Sequence, residues 1–321
     1  MSGFRAFQTA RGSARPGFIR LAWVSEQART AWEVRLARIA AVVDEIEWRS
    51  VAAGLRRCAL ASARGSDLRD LQARLAEHGL TSKALASEQA LPAGRQSAIG
   101  PWPPRSEEAQ RIVIGARDDV AAFEECRVAR DGDAIGKLLG EPECCRRFLS
   151  LHCFGRRCAD TTWPIVATRI ADGASRTVEI AEGLTATNVF WRALGVRAVP
   201  HLPCAFDCRS SQELADALLN VAHGLDAARE IGWLHQVLSW PVEWSALNGI
   251  AEIKTPILKI MTRTDVTPGK CIVRWCGTTY PAEGAKGLRF PYRASRPAIA
   301  GSTGYRRGLA NPLPGEAEQP G

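Results

Sequence analysis

No run of 18 apolar residues occurs in the sequence, so no membrane-spanning helix is expected. The opening MSGFRAFQTARGSARPGFIR has no apolar stretch long enough for a secretory signal. G-x-G-x-x-G, P-loop, G-x-S-x-G and H-E-x-x-H patterns are all missing, which removes the ready nucleotide-binding, serine-hydrolase and zincin readings. There is no RNP, KH or finger pattern, so nucleic acid is not an expected partner, although Lys+Arg 42 exceed Asp+Glu 34. The deaminase signature, P-C-x2-C with an upstream H-x-E, is missing in both halves. Methionine and tyrosine are scarce, at 2 and 3.

Tryptophan, by contrast, occurs 10 times, which implies either a tryptophan-heavy core or a tryptophan-lined groove. Hydrophobic residues at 46% and charged residues at 24% are ordinary globular values and exclude wholesale disorder. A chain of 321 residues makes one large or two small domains and can bury a core without disulfides. The 10 cysteines are therefore expected to be reduced, in the cytoplasm, where Cys/His clusters point to metal or catalysis before disulfides.

Periodicity predicts a helix from Val24 to about Trp48, on which Trp32, Leu36, Ile39, Val43 and Ile46 form one stripe. A second helix is expected from Ser66, with Leu68, Leu71 and Leu75 in a row and Gly79 behind it; VAAGLRRCALAS between them reads as a strand. Residues 84–108 read as a linker and RIVIGA as a strand. Helices are expected after Asp118 or Asp119, over Ala134–Leu139, and over EPECCRRFLSLHC with Pro142 in its first turn. RAVPHLPC reads as a strand running into a turn. Ser210 and Glu213 read as a capping box, IGWLHQVLSW as a helix up to Pro241, and GIAEIKTPILKIM and KCIVRWCG as strands. The expected fold is α+β, a helical N-terminal part on a mixed or antiparallel sheet core. Its parts are a basic flexible arm over 1–20, a mainly helical subdomain over 21–95, an α+β core over 105–293, and a disordered tail over 294–321.

The strongest constellation is His201-Leu-Pro-Cys204-Ala-Phe-Asp-Cys208. If Pro203 opens a helical turn, Cys204 and Cys208 face one way and His201 reaches the same point. Two thiolates and an imidazole suit a tetrahedral N/S ion, zinc or iron. Further ligands are available from Cys144 and Cys145. Neighbours on a helix point about 100° apart, so a single ion is expected to take one of the two. The start of that helix favours thiolate, which fits a nucleophile equally well.

In WPVEWSALNGIAEIKTP, strand alternation puts Glu252 and Lys254 on one face with Ile250. They either neutralise each other on a sheet surface or stand in a groove, Glu252 acting as a base or an anchor for a peptide amine. Trp240, Glu243 and Trp244 are the candidates to line that groove, for a peptide or a small-molecule intermediate.

LLGEPECCRRFLSLH, DTTWP, FWRALGVRAVPHLPCAFDC and LSWPVEWSALNGIAEIKTP together resemble a recurrent bacterial pattern. That pattern runs L-L-G-x-P-x-C-C, H-L-P-C-x3-D-C, W-P-V-E-W and E-I-K-T-P, and the resemblance spans roughly residues 30–293. It is similar to the paired peptide-binding proteins of crocagin biosynthesis. The resemblance implies binding of a ribosomal precursor peptide during its maturation, alongside other biosynthetic enzymes, with ring closure as an associated chemistry. It marks Cys144, Cys145, His201, Cys204, Asp207, Cys208, Glu243, Glu252 and Lys254. This sequence departs from the pattern at Glu141, where an aromatic is usual, and at Asn248, where a histidine is usual.

Overall fold

A 27-residue helix, α1 (Glu26–Ala52), runs past both sheets of the molecule. Its start is capped by Ser25, whose hydroxyl accepts from the Ala28 amide at 3.0 Å. Trp32, Leu36, Ile39 and Val43 enter one core, and Trp48, a further turn on, enters another. The computed structural model describes residues 5–8, 18–63, 65–85, 110–153, 160, 162–170, 176–266 and 269–284. The expected tail and most of the expected linker lie outside them.

The larger sheet has seven strands: β1 (Arg5–Gln8), β2 (Phe18–Trp23), β6 (Thr177–Ile180), β7 (Val242–Leu247), β8 (Ile250–Lys254), β9 (Leu258–Arg263) and β10 (Cys271–Trp275). Their order is β1-β2-β9-β8-β7-β10-β6, and only β6, at the edge, runs parallel to its neighbour. The smaller sheet is antiparallel, β3 (Cys58–Ala63), β5 (Gln110–Gly115) and β4 (Thr81–Ala84) in that order. Helices α2 (Gly65–Ala76), α3 (Arg117–Val128) and α4 (Gly132–Leu138) accompany it. Beyond them come α5 (Glu143–Cys153), α6 (Trp163–Ala167), α7 (Arg209–Ala222) and α8 (Ala228–Leu238). The fold is α+β, with a mixed larger sheet.

Four expectations need correction. The small sheet joins β3 and β4 from the first expected subdomain to β5 from the second, so a boundary between 95 and 105 cuts through one hydrogen-bonded unit. RAVPHLPC is not a strand. It follows a 3₁₀ turn (Val189–Leu194) that ends at Gly195 with φ +76°, and its carbonyls are held by the Arg192 guanidinium rather than by a neighbouring strand. GIAEIKTPILKIM is two strands. Pro256 has no N–H, and the Thr255 hydroxyl takes the Leu258 amide at 3.1 Å to turn the chain. Residues 5–8 of the expected arm form a strand paired with β2.

The tryptophans go to the core. Trp32, Trp191, Trp240 and Trp244 are fully buried, and the Trp32 and Trp191 rings meet Trp240 edge-on at 4.6 and 5.8 Å.

Candidate metal centre

Four sulfurs converge where the starts of α5 and α7 meet. The Sγ atoms of Cys144, Cys145, Cys204 and Cys208 all lie within 4.8 Å of one another. Cys144 and Cys145 are 3.8 Å apart, Cys144 and Cys208 3.8 Å, and Cys145 and Cys208 3.7 Å. All four are free thiols, and these separations far exceed the roughly 2.05 Å of a disulfide bond. A tetrahedral ion with metal–sulfur bonds of about 2.3 Å sets its sulfurs about 3.8 Å apart. The spacing thus fits one mononuclear ion of the zinc or iron kind.

Both vicinal cysteines reach this point, contrary to the expectation that an ion takes only one. They occupy the first turn of α5, where Cα–Cβ bonds tilt toward the open N-terminal end and no preceding turn separates them. Cys208 is the N-cap residue of α7. Two helix N-termini therefore point their positive ends at the cluster, which favours thiolate. Cys145 and Cys208 are buried, Cys204 is half-buried and Cys144 is exposed.

The N-cap expected at Ser210, in a capping box with Glu213, is displaced two positions upstream. Cys208 takes the N-cap position without a side-chain cap bond, and the Ser211 hydroxyl donates to Cys208 Sγ at 3.3 Å and lies 3.4 Å from Cys145 Sγ. Ser211 is the residue that sequence reasoning missed; the C-x-x-S spacing at a helix start was its signal.

His201 stands behind Ser211 rather than in the group of four. Its Nε2 is 2.8 Å from Ser211 Oγ. Burial, then Arg192 and Arg56, push the imidazole down to about 3, so the ring is neutral at physiological pH. With Ser211 donating to sulfur, His201 Nε2–H donates to Ser211, and Nδ1 has no partner among the described residues.

The loop carrying His201 and Cys204 is pinned from below. Arg192, half-buried, donates to the carbonyls of Val199 (3.1 Å), Pro200 (2.7 Å) and His201 (2.6 Å). Burial, then Arg197, lowers this guanidinium to about 10. The other approach is fixed by Gly140, whose φ of +70° turns α4 into the Glu141-Pro142 entry of α5. A Cβ there would sit 3.0 Å from Arg56 Cγ. Arg56 is itself buried, 2.6 Å from Glu47 Oε2 and 2.7 Å from the Ser50 hydroxyl. Burial would raise the Glu47 carboxyl, but Arg56 and Arg197 outweigh it and hold it below the usual range.

The thiols share charge unequally. Cys208 is drawn down to about 4 by the Cys145 S–H, against burial, with Ser211 assisting. Cys145 is raised by the same contact and by burial, and Cys204 is pushed up to about 12 by burial and Cys208. Like charges this close resist joint ionisation, and a central divalent cation removes that resistance.

The second candidate site does not assemble. In β7, Trp244 points into the core and is 0% exposed, while Glu243 points to the other face. Glu243 pairs across strands with Lys254, Ser245 with Glu252, and Trp244 with Ile253. Glu252 and Lys254 do share a face with Ile250, as expected, but Trp244 lies on the opposite side of the sheet from them, and Trp240 is likewise 0% exposed. The tryptophans therefore cannot line a groove with that pair. On the outer face Lys254 reaches Glu243 at 3.4 Å, Arg274 reaches Glu243 at 3.3 Å and Glu179 at 3.4 Å, and Lys259 reaches Glu252 at 3.7 Å. Asp207, marked by the resemblance, is exposed and pairs with Arg169 at 2.8 Å rather than joining the sulfurs. Asn248 and Gly249 make the β7–β8 turn, with φ of +51° and +77°.

No family model, curated protein or solved structure matches this chain. No helix among the described residues is long and apolar enough to cross a membrane.

Proposed function

We propose that this is a zinc- or iron-binding protein of the bacterial cytoplasm, held together by a tetrathiolate centre, that binds a precursor peptide during ribosomal-peptide maturation. The observation that carries the metal reading is the 3.7–3.8 Å spacing of Cys144, Cys145 and Cys208, with Cys204 in the same group. The surroundings support it. Four thiolates around a divalent ion leave the site with two net negative charges. Two helix N-termini and the half-buried Arg192, whose hydrogen bonds go to carbonyls, supply the compensating field. Zinc or iron bound to Cys144, Cys145, Cys204 and Cys208 ties α5 to the loop before α7; His201 and Ser211 hold the sulfurs from behind.

A metalloenzyme acting on a small molecule is the weaker reading, because four protein thiolates fill a tetrahedral shell and leave no position for water or substrate. The peptide reading rests on the resemblance of the LLGEPECC, HLPCAFDC and WPVEWSALNGIAEIKTP segments. The face of the larger sheet available to a peptide is the one carrying Glu243, Glu252 and Lys254, with the tryptophans packed beneath it. Elemental analysis of protein purified under reducing conditions tests the first part: one equivalent of zinc or iron is expected, lost in Cys208→Ala. Calorimetric titration with the precursor peptide encoded beside the gene tests the second, and equal, negligible heats for wild type and Lys254→Ala would retire it. An exposed Cys144 also favours, as a second reading, a cysteine that reacts.

A further inference from the structure

The four sulfurs are not equivalent in what surrounds them. Cys145 and Cys208 are buried and each has the Ser211 hydroxyl within 3.4 Å. A hydrogen bond to a thiolate withdraws electron density and blunts its attack. Cys204 is half-buried. Cys144 is the exposed corner, and its hydrogen-bond-range contacts are to the sulfurs of Cys145 and Cys208, at 3.8 Å each. It sits at the start of α5, and a cysteine bound to a metal ion is by definition a thiolate. Reactivity toward oxidants requires access, and Cys144 is the most exposed of the four sulfurs.

We propose that Cys144 is a modification site, at which the metal centre reacts with peroxides, and that Cys208 completes the reaction. This rests on the metal reading above. The Cys144 thiolate attacks one peroxide oxygen, the O–O bond breaks, hydroxide leaves, and Cys144 becomes a sulfenic acid. The Cys208 thiolate attacks that sulfur, the S–O bond breaks, a second hydroxide leaves, and a Cys144–Cys208 disulfide forms. Two thiolates are oxidised by two electrons in all, hydrogen peroxide is reduced to two hydroxides, and the ion, left with Cys145 and Cys204, is released. Cys208 rather than Cys145 resolves the sulfenic acid. Adjacent residues have Cα atoms about 3.8 Å apart, below the usual disulfide range of roughly 4.4–6.8 Å, so a vicinal bridge is strained. The product bridge links the start of α5 to the start of α7, the same two elements the ion links, so oxidation removes the metal and keeps the corner closed.

The test uses the full chain carrying its metal. Hydrogen peroxide is added with a chromophoric chelator present, and tryptic peptides are mapped by mass spectrometry after thiols are blocked at successive times. One ion released and two thiols lost per chain are expected, with a linked peptide joining Cys144 and Cys208. In untreated protein, iodoacetamide should reach Cys144 at least about tenfold faster than the other three. Cys144→Ser, compared per ion that it still binds, should slow peroxide-driven release by about tenfold or more. The mapping of unmutated protein stands even if that variant does not fold. Metal-loaded protein whose first modified cysteine is Cys145, Cys204 or Cys208, or whose bridge excludes Cys144, overturns this proposal and leaves the metal reading intact. Protein that purifies without metal overturns the metal reading, and this proposal with it.

Discussion

The thiolate corner and the outer face of the larger sheet are both built from groups that water would otherwise solvate, yet they end in opposite states. On the sheet, partners come from the next strand. Glu179, Arg274, Glu243 and Lys254 sit directly opposite one another across β6, β10, β7 and β8, alternating in sign. The face is satisfied from within, as opposite charges on facing strands are expected to be. At the corner, like groups meet like. Four sulfurs share one small volume, backed by two helix N-termini. The four sulfurs could hold a metal ion, which is the kind of partner that would complete them. The difference is a working rule for reading sites: complementary groups that pair belong to the fold, whereas identical groups that converge require something from outside.

The largest expected effect comes from breaking the corner itself. Cys208→Ala, or stripping the metal with a strong chelator, should abolish metal content and lower the melting temperature by roughly 10 °C or more, equivalent to about 4 kcal/mol in a domain of this size. Full retention of metal in Cys208→Ala would break the comparison. Next is Arg192→Met, which strips three carbonyls of the loop before Cys204 of their donor. A loss of about 3 kcal/mol and at least tenfold weaker metal binding are expected, read by denaturation and competition with a chromophoric chelator. A loss of stability with unchanged metal affinity would confine Arg192 to holding the loop.

Glu243→Gln sharpens the other side. Glu243 is 5% exposed and answers both Lys254 and Arg274, so about 1–2 kcal/mol should be lost in urea denaturation while metal content is unchanged. Metal loss in this variant would show the two regions to be coupled. The smallest effect belongs to Glu252→Ala. The pair with Lys259 is half-exposed, and a change of less than about 0.5 kcal/mol is expected. A larger change would mean that this face is occupied by something that Glu252 holds.

The elements with strong local signals were legible. The stripe Trp32, Leu36, Ile39, Val43 and Ile46 marks α1 because helical period and core burial coincide there. RAVPHLPC was misleading because its apolar residues suit a strand, while what shapes it is Arg192, whose role depends on tertiary contact. The four ligands were readable as residue types but their meeting was not. Cys145 and Cys208 are 63 residues apart, and only the tertiary approach of the start of α5 to the start of α7 joins them. That Cys144 and Cys145 both reach the point was not expected, because the 100° step turns them apart; in the first turn both side chains tilt past the open N-terminal end with no preceding turn between them. The tryptophan groove failed on parity. Glu252 and Trp244 lie on different strands, and which face they share depends on the hairpin register. Asn248-Gly249 carries that register, since this dipeptide favours a two-residue turn that sets Leu247 opposite Ile250 and hence Ser245 opposite Glu252.

The separation of the ligands along the chain has a kinetic side. A bound ion is a reversible cross-link around a loop of 63 residues, and by disulfide-type scaling such a closure removes roughly 4 kcal/mol of chain entropy from the unfolded state. Each end is a local chelate on its own, a vicinal pair on one side and two cysteines four residues apart on the other, so the halves form early and their union comes late. The loop they close contains β6, the edge strand that alone runs parallel to its neighbour. Parallel pairing cannot be reached through a hairpin and waits for a crossover to be drawn in. A metal captured at this corner would thus help deliver β6 to β10, and amide exchange over Thr177–Ile180 is where its removal should first be felt.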